Sequence, residues 1–598
     1  MTVFSTVLIA NRGEIALRIM QTARALGIRT VAVYTEVDRL APHVRGADLA
    51  VPVSSYLSVS DLVEAALATG ADCVHPGYGF LSERSEFARA VTDAGLTFIG
   101  PSADVIEKMG RKDAAREIAV AAGVPVVPQG DTSTLPVLVK AAAGGGGKGM
   151  RIVRSADELD GAIEAAQREA LSAFGDDTLL IERYVEHGRH VEVQVLADHH
   201  GNVVHLFERD CSAQRRHQKV IEEAPAPTVS AAARTTLLDS AVALAREVGY
   251  TNAGTVEFMV AGDEVFFLEM NTRLQVEHPV TEAVTGLDLV RLQFEVAAGA
   301  PLPLTQDDVR CDGHAFEARV YAEDAFNGFL PQAGTATTVQ WPAGARVDQA
   351  LESGQVVSTA FDPMLGKITV HAPTREAARQ RLVDALDQTV ILGLTTNVGF
   401  LRALAASDEF RDNRIDTAWL DTHAGELQPP DEEAARRLAA TGYVAQLSGD
   451  DSPFGRADGW RLAATPADVT VTLDDQPVTV PRSGRDWPVW VDRQGVATVV
   501  EGQAFRFAFP DPFRRAAAAG LSDGAVLAPM PGTVLAVTVA VGDRVEEGAP
   551  LGAMEAMKME LALTAPLAGT VTSVGAAAGD QVPLKHVLFT IEADSSHA

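Results

Sequence analysis

The chain of 598 residues has little cysteine, only Cys73, Cys211 and Cys311. They stand too far apart for a disulfide framework or a paired-thiol metal site, which points to a reducing, cytoplasmic setting. No apolar run reaches about 18 residues, so a membrane-spanning segment is excluded. Positive charge is also short, with 50 Lys and Arg against 80 Asp and Glu and a formal net charge of -30. So acidic a surface is repelled by nucleic acid and by anionic membranes, and neither is expected as a partner. The opening MTVFSTVLIANRGE runs from a short apolar strand straight into charge, unlike a signal peptide. Two phosphate-binding fingerprints are missing as well. No GxGxxG follows the first strand, and KAAAGGGGKGM carries Ala142 and Gly149 where a Walker A loop needs Gly and Ser or Thr.

What is there reads as a folded, multidomain chain. Hydrophobic residues make up 47% and charged ones 22%, and the length implies roughly three to five domains. Residues 1–110 alternate short strands (TVLIA, TVAVY) with helical stretches such as EIALRIMQTARAL, the pattern of an open α/β sheet with ligand-facing loops. Over 111–309 the strand VLVK runs into a glycine loop, and HVEVQVLA and VVHLFE form a hairpin around DHHGN. Residues 310–425 read as α+β. QPPDEEAA, with adjacent prolines and a run of acids, reads as a linker over 426–440. A β-rich middle region at 441–512 and a second linker at 513–524 lead to a final all-β domain at 525–594.

That last domain holds an internal repeat. APMPGTVLAV from Ala528 and APLAGTVTSV from Ala565 share Gly532 with Gly569, Asp543 with Asp580 and Leu551 with Leu588, at an offset of about 37 residues. Two copies of a four-strand pattern imply a small quasi-twofold barrel or sandwich. EAMKME joins the copies, so Lys558 falls on the connecting hairpin. In a strand-like segment Met557 and Met559 share one face and Lys558 takes the other.

The front half carries a second set of chemistry. Gly144 to Gly147 offer a mobile backbone whose N–H groups can wrap phosphate oxygens, with Lys140 and Lys148 beside them. In GTVEFMV-AGDE-VFFLEMN the short turn predicts an antiparallel hairpin with Glu257 opposite or diagonal to Glu269. Glu269 and Asn271 share a strand face, and three converging oxygen ligands suit Mg²⁺ on nucleotide phosphates.

ANRGEIALRI, HPGYGFLSE, RDCSAQRRHQKVIEEAPAP and EMNTRLQVEHPVTE together resemble the ATP-grasp biotin carboxylases over roughly residues 3 to 420. EAMKME inside the repeated barrel resembles a biotin carboxyl carrier, with Lys558 as the biotinylated lysine. The resemblance implies that Lys112, Lys140, Gly146 and Gly147 contact ATP. Glu182, Arg183, Tyr184 and Val185 would line the adenine pocket, near His190 and His217. Glu257, Glu269 and Asn271 would hold Mg²⁺ or Mn²⁺. Lys219, Arg273, Gln275 and Val276 would position bicarbonate, Glu277 would be the general base, and Arg319 would stabilise the biotin enolate. Between VPVVPQGD and PVLVK the chain is about a dozen residues shorter than the family pattern, and this trimming together with the glycines predicts weak order at 144–149.

About 75 residues between linker and barrel leave no room for a carboxyltransferase. The resemblance therefore implies the alpha subunit of an acyl-CoA carboxylase, working with a separate carboxyltransferase beta subunit and served by a biotin protein ligase. A homo-oligomer within a hetero-oligomeric complex is expected, with 441–512 as the docking region. Two rival readings are another ATP-grasp ligase that forms an acyl phosphate for an amine, and a carrier whose front half is inactive.

Overall fold

The computed structural model describes residues 4–593 except 131–132, 143–149, 217, 448–467, 482–486, 511–523, 530, 557–558 and 584. The expectations for the glycine loop with Gly146, Gly147 and Lys148, for His217, for most of the 513–524 linker and for Met557 and Lys558 lie outside the described residues.

The N-terminal part is a parallel sheet in the order Leu49–Pro52, Arg29–Tyr34, Thr6–Ile9, Cys73–His75, Thr97–Phe98. Its central strand TVLI is apolar at almost every position because both faces are covered. Val7 and Ile9 pack with Ile15 and Ile19 of helix Gly13–Ala25, whereas Leu8 packs with Leu62 and Ala66 of helix Val59–Thr69.

An eight-stranded sheet forms the middle of the front half. Its order is Glu264–Asn271, Asn252–Ala261, Arg189–Ala197, Val203–Arg215, Gln218–Ala224, His314–Tyr321, Met364–Ala372, Arg346–Gln349. The division expected between 309 and 310 thus falls within one sheet, since Ile221 to Ala224 pair with Ala318 to Ala315. Long-range pairing of this kind leaves no composition shift for a sequence reading to find.

Arg151–Val153, Val137–Ala141 and Leu179–Arg183 form a three-stranded sheet backed by helix Ala156–Phe174. The shortened segment before it runs in close contact with this unit. Gln129 pairs with Glu182 and Val126 with Phe267. Gly130 is needed there, because a side chain would come within 2.6 Å of Val137 and 2.9 Å of the Glu182 main chain.

The expected linker at 426–440 is corrected by the structure: from Glu432 to Gln446 the chain is a helix. Asp431 caps it by accepting from the N–H groups of Glu433 and Ala434, and the acids of its first turn favour the N-terminal end of the helix dipole. Its Ala435, Ala439, Ala440 and Val444 pack on Leu473, Val480, Val489, Val496 and Phe507 of the strands that follow.

The C-terminal repeat becomes two four-stranded sheets. Strands Gly532–Val537, Arg544–Val545 and Pro550–Ala556 recur 37 residues on as Gly569–Val574, Gln581–Val582 and Val587–Ala593. The halves exchange their short strands: Arg544–Val545 pairs with Gly569 and Thr570, and Gln581–Val582 pairs with Gly532 and Thr533. Leu551, Met554, Leu563, Val571, Phe589 and Ile591 fill the core between them. Among the described residues no helix is long and apolar enough to cross a membrane.

Candidate active site

The register of the large sheet lines up charged residues that lie far apart in sequence. Glu257 is directly opposite Glu269 on one side and Glu192 on the other, and Glu192 is opposite Arg209. Thr255 faces Asn271 across the same hairpin. One carboxylate oxygen of Glu257 accepts from Asn271 at 3.1 Å and Gln275 at 2.8 Å, with Lys219 at 3.4 Å. The other lies 2.8 Å from His190 Nε2. Burial works against a charge on Glu257, but Lys219 and His190 outweigh it and hold the carboxyl below its usual range. The same pairing raises His190 above the ordinary imidazole value against the effect of its own burial. Glu269 is half-exposed with Lys112 at 3.6 Å. Hard oxygens at 257, 269 and 271, already drawing positive charge, fit a Mg²⁺ ion.

Glu277 is the focus of the second half of the site. It is fully buried and stands at the N-terminal boundary of helix His278–Thr285, where its side chain makes no capping hydrogen bond. Lys219 Nζ lies 2.6 Å from one of its oxygens and Arg319 Nη2 3.0 Å from the other. Burial disfavours its charge, yet Lys219, Arg319 and Arg209 together hold its pKa well below the ordinary value. Arg273, two residues from Gln275, donates to Gln275 Oε1 at 2.7 Å and forms an ion pair with Glu83 at 3.0 Å. It also donates to Asn271 Oδ1 at 2.5 Å. The Val276 carbonyl accepts from Lys367.

On the nucleotide side, Lys140 is buried and sits 2.6 Å from Glu182, which also meets Arg116 at 3.2 Å. Arg183 lies over the Phe266 ring at 5.2 Å. Arg154 lies over the Tyr184 ring at 5.9 Å, and Val185 is half-buried beside them. Lys112 and His190 reach the carboxylate row, at Glu269 and Glu257, whereas Lys140 and Glu182 pair with each other on the three-stranded sheet.

Four neighbours of this site escaped the sequence reading. Arg209 and Glu192 are both fully buried and meet at 2.6 Å; Arg209 also donates to Gln194 at 2.8 Å and Thr281 at 2.9 Å. Glu192 accepts from Lys219 at 2.7 Å, so it anchors that lysine beside Glu277. Glu222 takes a hydrogen bond from Arg319, and burial pushes its carboxyl up to about 7 although Arg319 pulls it down. Glu83 pairs with Arg273. The motifs HVEVQ and RDCSAQRRHQKVIEEAPAP held the first three within reach, but their register was not readable.

Family models match most of the chain. Residues 3–106 match "Biotin carboxylase, N-terminal domain", 83–305 "Carbamoyl-phosphate synthase L chain, ATP binding domain", 317–422 "Biotin carboxylase C-terminal domain" and 524–591 "Biotin-requiring enzyme". The chain is similar to the mitochondrial methylcrotonoyl-CoA carboxylase subunit alpha of Dictyostelium discoideum, at 40% identity over 93% of this chain and 91% of that one. It is likewise similar to the propionyl-CoA carboxylase alpha chain of Ruegeria pomeroyi, at 39% identity over 93% and 95%. Among solved structures, a biotin carboxylase–beta-gamma-ATP complex from Campylobacter jejuni is 40% identical with a TM-score of 0.69, covering 71% of this chain and 99% of that one. The biotin carboxylase domain dimer of Hydrogenobacter thermophilus 2-oxoglutarate carboxylase, with MgADP and bicarbonate, is 42% identical with a TM-score of 0.69 over 72% and 99%. The protein is a ligase that uses ATP with Mg²⁺, bicarbonate and biotin, and its carboxyltransferase resides on a separate subunit. A biotin carboxylase and a biotin carrier are joined in one polypeptide here, and the chain belongs to the family of acyl-CoA carboxylase alpha subunits.

Proposed function

We propose that this chain carboxylates a biotin attached to Lys558 and delivers it to a carboxyltransferase beta subunit acting on an acyl-CoA. The observation that carries the reading is a fully buried carboxylate, Glu277, held between Lys219 at 2.6 Å and Arg319 at 3.0 Å. Lys219, Arg273, Gln275 and Val276 gather bicarbonate, and the positive charge of Lys219 and Arg273 draws it toward the nucleotide phosphates despite like-charge repulsion. Glu277, kept ionised by its neighbours, accepts the bicarbonate proton. Lys112, Lys140, Gly146, Gly147, His190, His217 and the 182–185 strand end hold ATP. Glu257, Glu269 and Asn271 would hold Mg²⁺, which neutralises phosphate charge. A bicarbonate oxygen attacks the γ-phosphorus and displaces ADP, and the carboxyphosphate formed breaks down to CO₂ and phosphate inside a site that excludes water. The phosphate takes the proton of the biotin ring N–H as that nitrogen bonds to CO₂. Arg319 is placed to hold the ring oxygen of biotin as negative charge grows there.

The carrier supplies reach. Ala556 pairs with Met559 at the end of a hairpin, and Lys558 lies between them in sequence. A biotin protein ligase reads this tip. Region 441–512 docks the beta subunit, which selects the acyl group, and the front half forms a homo-oligomer, as supported by the dimeric Hydrogenobacter domain. Buried free thiols at Cys73 and Cys211 support a cytoplasmic setting. Bicarbonate-dependent ATP cleavage stimulated by free biotin tests the front half. ATP cleavage that ignores bicarbonate and biotin would favour a ligase with another acceptor.

A further inference from the structure

Beneath Glu277 lies a second layer of buried charge to which the proposed chemistry gives no role. Lys367, on strand Met364–Ala372, has no exposed surface. It sits opposite Arg319 on one neighbouring strand and Asp348 on the other. Its ammonium donates to the main-chain carbonyl of Val276. Glu317 stands 3.7 Å away and is itself fixed by Thr369 at 3.0 Å. The Tyr78 ring covers the ammonium at 6.0 Å. The preceding carbonyl, of Gln275, meets His278 Nδ1 at 2.8 Å. Two successive peptide units are therefore gripped by side chains immediately before Glu277.

Placing two cations, Arg319 and Lys367, opposite each other in a sheet is unfavourable for stability alone, and a buried lysine is costly unless well paired. Here its hydrogen bond goes to a neutral carbonyl rather than to the nearby carboxylate. That carbonyl belongs to the peptide unit whose N–H is Glu277's own, so moving it turns the Glu277 side chain.

We infer that Lys367, backed by Glu317, is a positioning residue for biotin carboxylation, acting through the Val276 carbonyl to fix Glu277 against bicarbonate. This rests on the reading of Glu277 as base. The geometric tolerance of such a base is small, and a misplacement of about 1 Å costs about 100-fold in rate.

The test uses the full-length chain with free biotin, ATP and bicarbonate. Because Lys367→Met alone strands Glu317, the double variant Lys367→Met/Glu317→Gln is measured beside it, with Glu277→Gln as the reference. The expected result is a double variant that melts as a folded protein, keeps its KM for ATP within about twofold, and loses about 10- to 100-fold in kcat/KM for bicarbonate. Unchanged bicarbonate kinetics in the folded double variant, with Glu277→Gln inactive, would overturn the clamp and leave the base intact. Parallel losses for ATP and bicarbonate, or a double variant without a folded baseline, would also overturn it, because the layer would then serve stability. Carboxylation surviving in Glu277→Gln would remove the base and this inference together.

Discussion

Lys219 and Glu277, 58 residues apart in sequence, meet at 2.6 Å inside the sheet, and Arg319 closes on Glu277 from the opposite side at 3.0 Å. Two cations on one buried carboxylate keep it charged, and they come from strands that only the fold makes neighbours. Removing its charge while keeping its shape isolates the base. Glu277→Gln is expected to fold normally and to lose about 100- to 10,000-fold in bicarbonate-dependent carboxylation of free biotin, measured as ADP release. A loss under tenfold would contradict the assignment.

Glu269 faces Glu257 across the hairpin but is the more exposed of the two, with 40% of its side-chain surface open. Its neutralisation should weaken metal binding with little strain. Glu269→Gln is expected to raise the Mg²⁺ needed for half-maximal ATP cleavage by at least about tenfold. Titration with Mg²⁺ at saturating biotin checks this, and an unshifted midpoint would remove Glu269 from the metal site.

Arg209 and Glu192 form an ion pair with neither side chain exposed. Cutting one partner leaves a buried charge uncompensated, at a cost of about 3–5 kcal/mol. Arg209→Met is expected to lower the melting temperature of the front half clearly, and adding Glu192→Gln should recover part of the loss. Equal melting temperatures for parent and Arg209→Met would contradict the energetic role.

Glu14 carries both carboxylate oxygens buried and without hydrogen-bond partners among the described residues. Burial, against the pull of Lys367, raises its pKa from 4.5 to about 7. The native state therefore keeps a proton that the unfolded chain releases, so stability falls as pH rises from about 4.5 to about 7, by on the order of 3 kcal/mol. Glu14→Gln removes that dependence. The variant should gain in melting temperature over the parent at about pH 8 relative to about pH 5, and a pH-independent difference would contradict the shift.

Much of this was legible in the sequence because it was local. The short turn after GTVEFMV implied a hairpin with Glu257 opposite or diagonal to Glu269, and a bulge between Glu257 and Phe258 makes them directly opposite. The 37-residue repeat set three strands of each carrier half. Glu192, Arg209, Glu222 and Lys367 were not legible. They occupy apolar strands whose alternation reads the same whether a charge faces a partner or water, and bulges between Asp210 and Gln214 shift the register. The partnership of Glu83 with Arg273 joins segments with no shared pattern. The helix after Asp431 failed for a different reason: its cap and acidic first turn were present in PPDEEAA, but adjacent prolines and acids also spell a linker.

The most direct measurement is the intact mass and peptide map of the full chain made with an active biotin ligase, paired with an acyl-CoA carboxylation assay containing the beta subunit. The expected result is one biotin on Lys558, with Lys558→Ala abolishing acyl-CoA carboxylation while free biotin is still carboxylated. An unmodified Lys558 in a chain that still supports acyl-CoA carboxylation would contradict it.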